Sequence, residues 1–448
     1  MQSTENSKAK GLSLSFLRNV GWNLFGQIAP LVAALISIPI LVKHLGVDRF
    51  GLLTIAWMLI GYFSLFDLGI GRALTQLLAQ RIAQGRHRSV GPLLWTGTAA
   101  MAILGLVAMM VLGISAHWIA YSALKIPSEL RTETYWALLS LTPALPAVML
   151  AAAFRGALEA KHAFKLVNLV RIPLGVLMFV APLCLLPFSN SLVGVFASLL
   201  AVRLLTCVAF WLCLRGEMPD ALSYRFDRRL LPQLFRFGGW MTVTNIVSPL
   251  MVQMDRFVIG AMLSTAAVAY YSTPFEMVSK VLIIPGAIAG VCFPAFAKYF
   301  GERNFIAAGK LLKQSIVITA VVLGLVTVIA LALAKIVLNI WVGEAFALHS
   351  TSVMKMLIVG MLINGVGHIP FSFIQGIGKP KITAQFHLME LVIYAPLVIF
   401  LIEVHGIIGA AVAWTLRAAI DTTLLTGYSF FALRRARDGN SLQYSQKG

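Results

Sequence analysis

The chain has 448 residues, of which 59% are hydrophobic and 12% are charged, and its mean hydropathy is +0.86. These values lie far outside the range of soluble globular domains and exclude a water-soluble protein. Spans of about 20 residues joined by short connections leave room for about a dozen transmembrane helices and for no large soluble domain. We therefore expect an all-α integral membrane protein.

Apolar segments along the chain predict twelve helices. The first six lie near residues 20–42, 50–79, 92–119, 133–154, 166–187 and 192–214, and the second six lie near 238–263, 267–296, 314–342, 352–374, 382–402 and 406–431. A polar stretch from Arg215 to Arg236 separates the two sets, and the sequence DRRLLPQLFRFGGW at its end predicts a short basic segment at the membrane surface. This division predicts an amino-terminal six-helix lobe of residues 1–217 and a carboxy-terminal six-helix lobe of residues 218–448.

Two short matches relate the halves. RNVGW at Arg18–Trp22 matches RFGGW at Arg236–Trp240 with an offset of 236 − 18 = 218, and FRGALEAK at Phe154–Lys161 matches IQGIGKPK at Ile374–Lys381 with an offset of 374 − 154 = 220. Because each half has an even number of helices, both halves insert in the same orientation, related by an axis along the membrane normal. That symmetry is typical of a transporter with a central cavity between two lobes.

The basic residues predict the orientation of the chain. Lys and Arg are concentrated at the amino terminus, in alternate loops and in the carboxy-terminal tail, and cytoplasmic loops retain positive charge. We therefore expect both termini to be cytoplasmic. The formal net charge of +19 then has a topological cause, and no nucleic-acid partner is expected.

Eleven charged residues lie inside the apolar segments. The bases are Arg72, Arg171, Arg203, Arg256, Lys280 and Arg417, and the acids are Asp67, Asp255, Glu276, Glu390 and Asp421. A charge that faces lipid costs at least a few kcal/mol, so these side chains are expected to point toward water or toward one another. They form the candidate site.

Helical spacing sorts these charges into pairs. Glu276 and Lys280 are four residues apart, as are Arg417 and Asp421, so each pair can meet on one helix face. The alternative to a role in transport is a structural salt bridge inside the bundle. Arg203 has no acid within one turn, and it either lines the cavity or donates to backbone carbonyls.

Two other neighbouring pairs are expected to diverge. Asp67 and Arg72 are five residues apart, which turns them about 140° around a helix. Asp255 and Arg256 are adjacent, so they too are expected to serve different neighbours.

Polar uncharged groups and histidines add further candidates. Gln27 in the first helix corresponds to Asn245 in the seventh at an offset of 218, and the two amides either hydrogen-bond a sugar or bond between helices. His387 and Glu390 are three apart on one face, which is compatible with a proton relay and equally with a packed, hydrogen-bonded histidine.

Signatures of soluble enzymes are missing from the sequence. The motifs GxxxxGK[ST], HExxH and GxSxG do not occur, and the four cysteines have no metal-type spacing. Gly69 and Gly71 follow no strand, so they predict close helix contacts rather than a nucleotide site. We expect no cofactor, no bound metal and no covalent catalysis.

The segment Arg18–Ala79, which includes LFDLGIGRALTQ, resembles the amino-terminal signature of the polysaccharide-transporter, or O-antigen flippase, family. The stretch Phe373–Lys381 is similar to that family's counterpart before the eleventh helix. The family belongs to the multidrug, oligosaccharidyl-lipid and polysaccharide exporter superfamily. The resemblance implies a bacterial inner-membrane protein that moves undecaprenyl-diphosphate-linked oligosaccharide from the cytoplasmic to the periplasmic leaflet. Prolines inside the spans, Pro143 and Pro285 among them, allow kinks that favour alternating access, and an ion gradient is the expected driver.

The resemblance suggests a role in transport for each group of candidate residues. The proposed contacts of the diphosphate are the bases Arg72, Arg203, Arg256, Lys280 and Arg417. The residues expected to orient these bases, bind sugar or carry coupling protons are Asp67, Asp255, Glu276, Glu390, Asp421, Gln27 and Asn245. Expected partners are the lipid-linked oligosaccharide and membrane lipids, with a polysaccharide polymerase and a chain-length regulator as candidates.

Two alternatives stay open. A cation-coupled multidrug extruder of the same fold would favour a cavity dominated by acids, and six bases against five acids argues against it. A membrane enzyme that polymerises or ligates the glycan would present an acceptor site on a sizeable external loop, whereas the outward loops are nearly all short.

Overall fold

A computed structural model describes residues 29–63, 70–86, 89–161, 163–219, 226–234, 251 and 253–445. Within these ranges the chain is helical and contains no strand, which confirms the predicted all-α class. The chain forms two compact units, Met1–Ile246 and Val247–Gly448. The predicted boundary between residues 217 and 218 stays a prediction.

The first unit contains eight α-helices of more than ten residues among its described residues. They are α1 (Ala29–Leu45), α2 (Val47–Phe63), α3 (Ile70–Ala83), α4 (Val90–Trp118), α5 (Ser128–Leu141), α6 (Ala144–Ala160), α7 (Phe164–Leu185) and α8 (Leu192–Glu217). Helix α6 contacts α2, α3, α4, α7 and α8. Its sequence ALPAVMLAAAFRGALEA is rich in alanine, and small side chains let several helices approach one helix closely.

The second unit has six helical segments in its described residues. They are α9 (253–262), α10 (Thr265–Ser279), α11 (Ile283–Gly301), α12 (Phe305–Trp341), α13 (Glu344–Gly376) and α14 (Pro380–Ser445). Helix α13 contacts α10, α11, α12 and α14, so it has the central place that α6 has in the first unit. Ser264 and Asn304 cap α10 and α12, because their side-chain oxygens accept from the backbone N–H groups of Ala267 and Ala307.

Two glycines from the sequence repeat lie at equivalent close contacts. A Cβ on Gly156 of α6 would lie 2.5 Å from Thr75 Oγ1 of α3, next to the carbonyl of Gly71. A Cβ on Gly376 of α13 would lie 3.1 Å from the carbonyl oxygen of Phe293 in α11. Each unit therefore packs its central helix on an earlier helix through a glycine. Gly71 lies at a close helix contact, as predicted, and Gly69 lies outside the described residues.

Prolines alter the helical geometry inside two of the predicted spans. The predicted helix 133–154 is divided between α5 and α6 at Pro143, and the Thr142 hydroxyl donates to the carbonyl of Leu139 that the proline nitrogen cannot reach. The predicted helix 267–296 contains a 3₁₀ turn at Lys280–Leu282 between α10 and α11. Pro285 has no N–H for the carbonyl four residues earlier, which explains the change of helix type there.

Helix α14 is a helical hairpin rather than one rod. Its backbone turns at Gly406, where φ is 59° and ψ is −140°, and the two arms cover residues 380–405 and 407–445. A residue with a Cβ strongly disfavours this conformation, so glycine suits the turn. Contacts between residues 387 and 421 and between 390 and 417 show that the arms run antiparallel.

The helices have the length and surface of a multi-pass membrane protein. Eight spans in the described residues are long and apolar enough to cross a bilayer, from Val90–Ala123 to Pro380–Asp438, and the last of these contains both arms of α14. Helix α12 exposes Leu325 and Val328 by 65% and 68%, as expected for side chains that face lipid. The described residues do not confirm the number of twelve spans, which stays a prediction.

Candidate functional site

A buried charge cluster joins α9 to α10. The Arg256 side chain is 5% exposed, and its Nη2 donates to Glu276 Oε1 at 2.9 Å. Its Nη1 donates to Gln253 Oε1 at 2.7 Å. Asp255 is fully buried; its Oδ1 accepts from the backbone N–H of Arg256 at 2.8 Å, and its Oδ2 accepts from the hydroxyl of Tyr271. The adjacent acid and base therefore have different partners, as predicted.

The accessible side of this cluster is formed by Glu276 and Lys280. Lys280 Nζ lies 3.2 Å from Glu276 Oε2, which confirms the predicted pair, and both side chains are about half exposed. Glu276 thus lies between two cations, Arg256 and Lys280. With the buried Asp255, the cluster contains two bases and two acids, and Lys280 is its half-exposed base.

Aromatic rings connect this cluster to a second one. The Arg256 guanidinium lies 5.0 Å from the ring centroid of Phe275, and Phe275 meets Trp414 edge-on at 5.5 Å. The Arg417 guanidinium in turn lies 5.7 Å from Trp414 and 5.8 Å from Tyr394. Both arginines are therefore held over aromatic faces, which partly compensate for their burial.

The second cluster lies between the arms of α14. Arg417 Nη1 is 3.9 Å from Glu390 Oε2, and His387 Nε2 is 3.9 Å from Asp421 Oδ1. One ring nitrogen of His387 and one carboxylate oxygen each of Glu390 and Asp421 lie within 4.8 Å of one another. All four side chains are buried.

The predicted pair of Arg417 with Asp421 is wrong. These residues share the second arm of α14, and no ion pair joins them in the described structure. Arg417 instead pairs across the hairpin with Glu390, and Asp421 lies opposite His387. Spacing along one helix could not predict this, because the partners come from the facing arm.

Candidates in the first unit have a different environment. Arg203 of α8 makes no hydrogen bond or ion pair with the described residues, and its buried Nε has no partner there. The structure places Arg72 in α3 without describing its side chain. Asp67, Gln27 and Asn245 lie outside the described residues. The structure thus brings together Asp255, Arg256, Glu276 and Lys280 in one cluster of the second unit and Glu390, Arg417 and Asp421 in another.

Sequence reasoning missed the aromatic members of both clusters. Tyr271, Phe275, Tyr394 and Trp414 all lie in apolar segments and give no charge signal. A buried tyrosine hydroxyl needs a partner, and the donation from Tyr271 to Asp255 meets that need. A tyrosine such as Tyr271 in one apolar segment and an acid such as Asp255 in the preceding one could have predicted this hydrogen bond.

Comparison with known proteins agrees with this architecture. Residues 16–300 match the model of the family described as "Polysaccharide biosynthesis protein". A protein of Shigella flexneri named "Putative O-antigen transporter" is 31% identical over 412 residues, which are 92% of this chain and 97% of that protein.

Solved transporters share the fold at low sequence identity. An inward-facing multidrug resistance MATE family transporter of the MOP superfamily matches with a TM-score of 0.77 and 15% identity over 93% of this chain and 99% of its own. The lipid II flippase MurJ in its inward closed conformation matches with a TM-score of 0.73 and 14% identity over 91% of this chain and 86% of its own. With the family match and the whole-length relative, these likenesses show that the chain belongs to the polysaccharide biosynthesis protein family and has the all-α fold of MOP superfamily transporters.

Proposed function

We propose that this protein is a flippase for polyprenyl-diphosphate-linked oligosaccharide, the lipid-borne repeat unit of a bacterial surface polysaccharide. It moves the unit from the cytoplasmic to the periplasmic leaflet of the inner membrane, with both termini of the chain in the cytoplasm. The observation that carries the proposal is the similarity along nearly the whole length of both chains to the Shigella flexneri relative.

The chemistry of the substrate fits the charge pattern. A diphosphate and a hydrophilic glycan cannot cross about 30 Å of hydrocarbon unaided, because burying their charges and hydroxyls without partners is costly. Lys280 is the half-exposed base of the second unit, beside Glu276 and the buried Arg256, and Arg203 offers a membrane-embedded guanidinium without an acid partner in the described structure. Arginine and lysine bind phosphate oxygens through charge-assisted hydrogen bonds.

Translocation of this substrate requires no bond to be made or broken. The protein therefore acts as a transporter and not as an enzyme, with the lipid-linked oligosaccharide and the surrounding lipids as its partners. A polysaccharide polymerase and a chain-length regulator are further partners of the same process. Alternating access coupled to an ion gradient would drive transfer from the cytoplasmic to the periplasmic leaflet.

Deletion of the gene in the organism that encodes it tests the proposal. We expect loss of the surface polysaccharide, with lipid-linked repeat units retained in the inner leaflet. Unchanged polysaccharide with altered drug sensitivity would favour a multidrug extruder. Single repeat units that reach the outer leaflet without being polymerised would favour a glycan polymerase.

Complementation with variants tests the cationic residues. We expect Lys280→Ala and Arg203→Ala to lower the initial rate of polysaccharide appearance about tenfold or more, because each removes a charge-assisted contact. Lys335→Ala is the matched control, since Lys335 is an exposed lysine of α12 with no ion pair in the described structure. If Lys280→Ala and Arg203→Ala both produced polysaccharide at the wild-type rate, with wild-type protein levels in the membrane, these residues would not belong to the substrate site.

A further inference from the structure

A cavity of about 120 Å³ lies between α10, α12 and α13 of the second unit. Its lining side chains include Met277 and Val281 from the α10 side, Val326 and Ala330 of α12, and Met354 and Met361 of α13. Thr327 is the one polar side chain among the described residues that line it. The cavity is therefore apolar, and it shares no lining residue with the two charge clusters described above.

Helix α12 turns one particular face to this cavity. Leu323, Val326 and Ala330 are spaced three and four residues apart, which places them on one side of the helix. Leu325 and Val328 lie on the opposite side and are largely exposed. The cavity thus lies on the side of α12 that faces its own unit, and not on its outer, lipid-facing surface.

The size and lining of the cavity fit a hydrocarbon chain. An apolar cavity of about 150 Å³ stays free of water and binds benzene, a six-carbon ligand. In the same proportion, about 120 Å³ holds about five carbons, which is one isoprene unit. Three methionines of the lining, Met277, Met354 and Met361, have unbranched side chains that adapt to an irregular apolar ligand. Such a ligand gains dispersion contacts with side chains of three helices.

The wall of the cavity lies beside a cation. Met277 and Val281, four residues apart, form one strip along the α10 segment. Glu276 and Lys280 form the adjacent strip. The 3₁₀ turn at Lys280–Leu282 carries the half-exposed Lys280 directly before Val281 of the cavity wall. An amphiphile whose negative group binds Lys280 therefore has its first carbons at the cavity.

This adjacency distinguishes between two kinds of lipid. In a polyprenyl diphosphate, the first isoprene unit is bonded directly to a phosphate oxygen. In a phospholipid, glycerol and ester groups stand between the phosphate and the acyl chains, and placing these polar groups against an apolar wall is costly. The position of Lys280 next to Val281 therefore favours a polyprenyl diphosphate.

We propose that the cavity between α10, α12 and α13 binds the isoprene unit next to the diphosphate of the lipid carrier, while Lys280 binds the diphosphate. The inference rests on the substrate proposed above and adds a site for the beginning of its lipid tail. The remaining isoprene units stay in the bilayer.

Photo-crosslinking to the purified full-length protein in detergent tests the site without any variant. The probe is a polyprenyl diphosphate without sugar that carries a diazirine in its first isoprene unit. We expect the cross-linked peptides to contain Met277, Met354 or Met361. An excess of unlabelled polyprenyl diphosphate should prevent this labelling, whereas the same excess of phosphatidylglycerol should not.

Filling the cavity tests the same site through the affinity for the probe. Ala330→Phe places a ring in the cavity, and we expect it to weaken binding about fivefold or more, because the isoprene unit loses its contacts. Ala332→Phe is the matched control, since Ala332 is an exposed alanine of the same helix, and this variant should bind the probe as the wild type does.

Three results would overturn the proposal. The first is no labelling, or labelling outside α10, α12 and α13, and the second is equal affinity of Ala330→Phe and Ala332→Phe for the probe. The third is displacement of the probe by phosphatidylglycerol, which would identify a site for ordinary acyl chains. The labelling pattern of the wild-type protein decides the outcome if Ala330→Phe does not fold.

Failure of this site and failure of the proposed function give different results. A protein that moves lipid-linked oligosaccharide between leaflets while Ala330→Phe binds the probe normally would keep the function and lose the site. A protein that is labelled at the cavity but transfers no lipid-linked oligosaccharide would keep the site and lose the function.

Discussion

At the scale of single residues, the ion pair between Arg417 and Glu390 shows how this protein keeps charge inside a membrane helix. Glu390 is 2% exposed and Arg417 is 7% exposed, and each reaches across the hairpin of α14. Arg417 also lies over the rings of Tyr394 and Trp414. The pair is therefore stabilised by a countercharge on one side and by aromatic faces on the other.

Removal of one partner should destabilise the protein more than removal of both. Arg417→Ala leaves the Glu390 carboxylate buried and without a countercharge, so we expect the free energy of unfolding to fall by about 3–5 kcal/mol. Arg417→Met combined with Glu390→Gln should recover most of this loss, since a neutral pair of similar volume leaves no buried charge. Denaturant unfolding of the purified protein in detergent measures both effects.

The exposed Arg434 on the same arm is the matched control, and Arg434→Ala should change the free energy of unfolding by less than about 0.5 kcal/mol. An Arg417→Ala variant as stable as this control would contradict the prediction. A double variant as unstable as the single one would contradict it too.

The sequence predicted these charges well and their partners only in part. The spacing of Glu276 and Lys280 predicted their pair correctly, because both lie on one helical turn. The pairing of Arg417 was wrong, because its partner comes from the other arm of the hairpin. Tertiary partners of this kind cannot be found from helical periodicity, which describes one helix at a time.

At the scale of helices, glycines and prolines decide how the spans pack and where they break. Gly156 and Gly376 have equivalent contacts in the two units, in agreement with the sequence match FRGALEAK to IQGIGKPK. The sequence match therefore predicted that the two glycines occupy equivalent positions in the two units. Pro143 lies at the junction of α5 with α6, and Pro285 follows the 3₁₀ turn at Lys280–Leu282, as expected for prolines that allow kinks inside apolar spans.

A side chain at either repeat glycine should weaken the packing of the central helix. We expect Gly376→Ala and Gly156→Ala each to lower the free energy of unfolding by about 1–3 kcal/mol, because the added methyl group overpacks a close helix contact. Gly290→Ala and Gly194→Ala are matched controls, since a Cβ at those positions meets nothing within 4 Å. Thermal unfolding of the four purified variants compares them, and equal midpoints in all four would contradict the prediction.

The turn of α14 should also require glycine. Gly406 has a φ of 59° and a ψ of −140°, so Gly406→Ala should cost about 1–3 kcal/mol through backbone strain. Gly427→Ala on the second arm is the control, because Gly427 has no positive φ and open space at its Cβ position. Thermal midpoints of the two variants measure the difference, and a Gly406→Ala protein as stable as Gly427→Ala would show that the turn does not depend on glycine.

At the scale of the whole molecule, the two units differ in the partners of their membrane-embedded charges. The second unit holds both charge clusters, whereas Arg203 in the first unit has no partner in the described structure. Composition and the long continuous apolar segments predicted a multi-pass helical membrane protein, because such segments cross a bilayer as helices. The sequence signature pointed to the family that the comparisons then showed.

Leaflet transfer is the activity that distinguishes a flippase from an enzyme or a drug extruder. The purified protein would be reconstituted into liposomes with a fluorescent polyprenyl-diphosphate oligosaccharide, and a membrane-impermeant quencher would report the leaflet of the label. Lys280→Ala and Lys335→Ala would be reconstituted in parallel. We expect protein-dependent transfer of the label between leaflets, unchanged glycan structure, and slower transfer in Lys280→Ala only. Transfer no faster than in protein-free liposomes, or a new glycosidic product, would contradict the central claim.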